Sequence, residues 1–96
     1  MKLRFEEEFV FSLEKKIRFI ALDSPNAAKV FHKGLLEQCK SVLEMPYKCR
    51  QSIYHDDKNI RDLVYKGYTV VYAIDEAFIS VLALINQELY DFKESL

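Results

Sequence analysis

The chain has 96 residues, half of them apolar, 14% aromatic and 30% charged, which is enough for one hydrophobic core and excludes a second domain, a disordered chain or a fold that depends on metal or disulfide staples. Its formal charge of −1 excludes nucleic-acid binding driven by net charge alone.

Residues 2–5 alternate polar and apolar and predict a short opening strand. From Glu6 or Glu7 the spacing lengthens: Val10, Leu13, Ile17, Ile20 and Ala21 recur every three or four residues and predict one buried helical face. Glu6, Glu7 and Glu8 stand where a helix N-terminus favours negative charge. Asp23-Ser24-Pro25-Asn26 ends this helix and starts another, with Ser24 suited to capping and Pro25 to the first helical position. The second helix carries Ala28, Phe31, Leu35, Cys39, Val42 and Leu43 on one face and stops before Pro46, which cannot continue it. So short a junction predicts an antiparallel helical hairpin.

Beyond Pro46 the period becomes two. Residues 52–55 predict a short strand, and 60–65 a longer one that turns through Lys66-Gly67 into 68–75. There Tyr68, Val70, Tyr72 and Ile74 share one face, and Thr69, Val71 and Ala73 the other. The almost wholly apolar run 78–85 reads as an inner strand, and 88–96 as a polar tail. The fold class is therefore α+β: a short N-terminal strand and an antiparallel helical hairpin packed on one face of a mostly antiparallel sheet, all one domain over 1–96.

The apolar run 78–85 is too short to span a bilayer, and the first residues lack the apolar segment and cleavage site of a secretory signal. The expected location is the cytoplasm, with no membrane partner. Cys39 and Cys49 match no zinc spacing and read as ordinary thiols; no metal or cofactor is expected. His55-Asp56-Asp57 has turn composition, and His32 reads as a solvated helix residue. Thirteen of the fourteen Lys and Arg residues precede residue 67, so any anion-binding surface belongs to the first two thirds. Lys48, Arg50, Lys58, Arg61 and Lys66 form a loose basic set there.

The order of elements, with Asp23-Ser24-Pro25-Asn26-Ala27-Ala28, Leu43-Glu44-Met45-Pro46, Ile60-Arg61-Asp62-Leu63 and the string from Gly67 to Asp75, resembles the RelE/ParE superfamily of bacterial type II toxins over nearly the whole chain. That resemblance implies a toxin neutralised by a cognate antitoxin, as in plasmid stabilisation modules. RelE-like members cut mRNA in the ribosome, whereas ParE-like members poison DNA gyrase. Ribose-assisted cleavage needs cations that stabilise charge developing on phosphorus. RelE-like nucleases carry them where this chain has Arg61, Thr69 and Asn86-Gln87, with a proton-donating Tyr at Tyr90. Thr69, Asn86 and Gln87 bear no charge, which disfavours a nuclease although ParE-like members also commonly carry cations there, and Ile60-Arg61-Asp62-Leu63 resembles ParE-like members more closely, so a ParE-like, gyrase-directed binding protein is expected ahead of a nuclease or a degenerate, non-toxic member. The last of these would keep the fold and antitoxin binding alone.

Arg61 and Tyr90 are thus the catalytic candidates of the nuclease alternative, with ribosome and mRNA as its partners. Arg50, Lys58, Arg61, Asn86 and Gln87 are the candidates for meeting the target. Beside the helical stripes, Phe9, Phe11, Phe19, Val30 and Leu36 are expected as an exposed apolar remainder that takes an antitoxin segment. A homodimer or a toxin–antitoxin hetero-oligomer is the expected assembly.

Overall fold

The computed structural model describes residues 1–86. Strand β1 (Lys2–Phe5) leads into helices α1 (Glu7–Asp23) and α2 (Pro25–Ser41), followed by strands β2 (Arg50–Gln51), β3 (Ile60–Tyr65), β4 (Tyr68–Ile74) and β5 (Phe78–Asn86). They form one sheet in the order β1-β5-β4-β3-β2, antiparallel except for the β1–β5 pair. The helices cover one face, α1 lying over β5 and α2 over β3. This is the expected α+β architecture, and no helix among the described residues is long and apolar enough to cross a membrane.

Local chemistry explains the joints. Glu7 and Glu8 occupy the positive end of α1, which has no side-chain cap. Between the helices Ser24 alone makes the turn: its Oγ accepts from the Ala27 amide at 3.1 Å and Pro25 opens α2. Lys66 and Gly67 both have positive φ, 46° and 81°, the two-residue hairpin geometry whose twist matches the flanking strands. One residue of β5, Leu82, bulges where the register with β4 shifts between Val71 and Tyr72.

The core joins Phe9 and Leu13 of α1, Phe31, Leu35 and Cys39 of α2, Val42 just after it, and Leu63, Val70, Tyr72, Ile74, Ile79 and Val81 of the sheet. Burial pushes the Cys39 thiol up to about 12. On the opposite sheet face Asp62, Thr69, Val71 and Ser80 are buried as well.

Three expectations change. The stripe on α1 is rotated: Phe9, not Val10, points inward with Leu13, and Val10 is exposed. Phe9 stacks on Phe5 with ring centroids 5.6 Å apart, a contact made possible by the β1 strand that immediately precedes the helix. The strand expected at 52–55 is instead the two-residue β2 at Arg50–Gln51. The Ser52 amide still reaches Ile60 O at 2.8 Å, but the Ile53 amide donates to the Asp62 carboxylate and the Tyr54 amide to Ser52 Oγ, which pulls the chain out of the ladder. Val42 and Leu43 lie beyond α2, where short-range bonds to Cys39 O and Lys40 O close its last turn.

Candidate functional site

Between the N-terminal half of α1 and the C-terminal half of α2 runs an open groove of about 450 Å³. Its apolar lining includes Phe5, Val10, Ile17 and the half-buried Leu36, with Glu14, Arg18 and His32 at the rim. Phe9 forms part of the lining, yet it is only 1% exposed. The expectation of Phe9 as exposed remainder is therefore corrected: it is a core residue, because it shares the inward direction of Leu13 four positions later. Val10 takes its place at the surface.

Phe11 and Phe19 are exposed, at 64% and 66%, as expected, and Val30 is exposed on α2. None of the three lines the hairpin groove. Phe19 borders two other hollows. One, at the tip of the hairpin, also has Ile20, Leu22 and Ala27 in its wall; the other lies between α1 and the ends of β4 and β5. Leu22, 87% exposed, was missed from sequence. It lies eleven residues from Phe11, three helical turns, so the two share an outward direction, a spacing that a search for the buried stripe passes over.

The basic candidates separate. Neighbours on a strand face opposite ways, so Arg61 and Asp62 do not pair. Arg61 points to the helix side, where Nε donates to Lys58 O at 2.8 Å, Nη1 to Cys49 O at 3.1 Å, and the guanidinium lies 4.9 Å from the Tyr47 ring centroid. These contacts tie the segment before β2 (Tyr47, Cys49) to the loop between β2 and β3 (Lys58). Tyr72 hydroxyl adds to that clamp by donating to Pro46 O at 2.7 Å; burial, followed by the hydrogen bond with the Cys49 side chain, raises its phenol. On the other face Arg50 Nη2 lies 3.5 Å from Oδ2 of the buried Asp62. Lys58 is exposed in the loop leading to β3.

Asn86 ends β5 opposite Tyr68, and Thr69 lies fully buried opposite Ile85. Gln87 and Tyr90 fall outside the described residues, as does the tail expected at 88–96. Arg61 is therefore seen without the other catalytic candidate, and the centre of the face opposite the helices carries Thr69, Val71 and Ala73 instead of cations.

Comparison with curated protein sequences gives no match. Among solved structures, a chain described as a chromosomal ParDE TA system from P. aeruginosa is similar in fold, with a TM-score of 0.72 at 15% identity, covering 90% of this chain and 95% of that one. A family model described as the ParE toxin of the type II toxin-antitoxin system, parDE, matches residues 3–88. That span runs from β1 past the end of β5 and takes in the helical hairpin and every strand described above, so the chain belongs to the ParE family of type II toxins.

Proposed function

We propose that this ParE-family toxin is held inactive by a cognate antitoxin, one segment of which fills the hairpin groove, and that its target is DNA gyrase. The observation that carries the choice of target is the engagement of Arg61. A ribosome-dependent nuclease needs a guanidinium aimed at the scissile phosphate, whereas Arg61 Nε and Nη1 donate to Lys58 O and Cys49 O and the guanidinium lies against the Tyr47 ring. The uncharged Thr69–Val71–Ala73 row, with Thr69 and Val71 buried, supports the same reading, because it offers no charge to a dianionic transition state. Toxicity then acts through binding. Lys58 and Asn86 are the contacts proposed for the target, and Arg61 positions the loop that presents Lys58.

The antitoxin reading rests on the groove between α1 and α2 and on the exposed Phe11 and Phe19 elsewhere on α1. An apolar groove with a polar rim suits an amphipathic helix that folds on binding. The assembly expected in cells is a toxin–antitoxin hetero-oligomer that stabilises the replicon encoding it.

Induced expression without antitoxin tests the reading. Filamentation with a DNA-damage response, suppressed by co-expression of the cognate antitoxin, is the expected result. Rapid translation arrest with cut mRNA contradicts the gyrase target, and unimpaired growth contradicts toxicity.

A further inference from the structure

Helix α1 has a second flank. Between its C-terminal half and the ends of β4 and β5 lies a hollow of about 440 Å³ whose wall includes Lys15, Lys16, Phe19, Tyr68 and Leu84. Lys16 Nζ stands 4.9 Å from the Phe19 ring centroid and 5.0 Å from that of Tyr68, so two aromatic faces hold the ammonium in place. Among the described residues neither Lys15 nor Lys16 has a carboxylate partner, and no carboxylate lines the hollow. The hairpin groove differs, since Glu14 offsets Arg18 at its rim.

A fixed cation beside apolar Phe19 and Leu84 suits a carboxylate with an apolar neighbour. Two lysines on a chain of net charge −1 are too few to hold a nucleic-acid backbone. Phe11 and Leu22 are exposed on the outer side of α1, which separates the two sites, and Phe19 is exposed in the wall of the second, so a partner chain that crosses this one helix meets apolar side chains on the way.

We propose that a carboxylate-bearing, otherwise apolar segment of the antitoxin crosses α1 and docks in this second hollow, its carboxylate on Lys16 Nζ and its apolar side chain against Phe19 and Leu84. This rests on the reading of the hairpin groove as an antitoxin site.

The test uses the full chain and its cognate antitoxin, with affinity measured at low and at moderate salt. The variants are Lys16→Gln, the double Lys15→Gln/Lys16→Gln, and Val10→Glu in the hairpin groove; amide exchange follows the wild-type complex. The expected result is that the double variant binds about tenfold more weakly, with a flatter salt dependence, and that binding protects residues 12–19 and 84–85. If Val10→Glu abolishes binding while both lysine variants bind as the wild type does with the same salt dependence, the second site is wrong and the antitoxin reading stands. If no complex forms with the wild type, the reading fails and takes the inference with it. Self-association of the chain alone that Lys16→Gln removes would give the hollow to a second copy and overturn the proposal. Circular dichroism of each variant verifies that removal of charge leaves the fold intact.

Discussion

The Tyr65 ring on β3 lies over Gly34 of α2 so closely that a Cβ at Gly34 would collide with the Tyr65 hydroxyl. Here a glycine within a helix is required by its neighbour. The same ring packs against Phe31 at 5.8 Å between centroids, so α2 is seated on the sheet by an aromatic side chain that needs a missing side chain opposite it.

Gly34→Ala gains about 1 kcal/mol of helix propensity but forces Tyr65 from its place, at about 1–3 kcal/mol. The net result expected in urea denaturation is destabilisation. In a Tyr65→Phe background, where the hydroxyl is gone, the loss shrinks; an undiminished loss would locate the strain elsewhere.

Phe9 and Phe11 lie two positions apart and are expected to behave oppositely. Phe9→Ala opens the core and costs about 3–5 kcal/mol in a denaturation experiment. Phe11→Glu or Phe19→Glu, at exposed positions, changes stability by about 0.5 kcal/mol or less and weakens antitoxin binding in a pull-down.

Asp62 is buried and ties down the start of the 52–58 loop through the Ile53 amide and Arg50. Asp62→Ala is expected to cost about 1–3 kcal/mol and to speed exchange of the Ile53 amide ahead of the strand amides of β3. Uniform acceleration across β3 would mean that the carboxylate supports the sheet as a whole.

The Cys39 thiol, raised from 9.0 to about 12 by burial, gives stability a defined alkaline limb. Above pH 9 the unfolded chain releases this proton while the folded chain keeps it, so the unfolded state binds fewer protons and stability falls as pH rises from about 9 toward 12. Tyr72, raised in the same direction, steepens the fall. Denaturation midpoints across this range are expected to drop, and less steeply in Cys39→Ala. At neutral pH a thiol reagent is expected to modify the partly exposed Cys49 first and Cys39 only on unfolding.

Much of this fold is legible in the sequence because its joints carry strong local chemistry. Ser24-Pro25 and Lys66-Gly67 fix the two hairpins, and the apolar spacing of α2 holds from Ala28 to Cys39. The spacing leaves the phase of α1 open because both Phe9 and Val10 lie on an apolar repeat, and the burial of Phe9 in the core shared with α2 and the sheet, a tertiary environment, decides between them. The 52–55 segment was misread because its pattern alternates, while the Asp62 carboxylate that draws it out of the ladder lies nine residues from Ile53. The exposed aromatics of the candidate site were legible as a surplus over one helical face. Their division between separate hollows was not, since Phe19 reaches Tyr68 and Leu84 only when α1 is laid over the sheet.

The most direct test of the account is a pair of assays with the purified chain: DNA supercoiling by gyrase, and cleavage of ribosome-bound mRNA. Inhibited supercoiling that the antitoxin relieves, with intact mRNA, is the expected result. Cleaved mRNA alongside unaffected gyrase would contradict it.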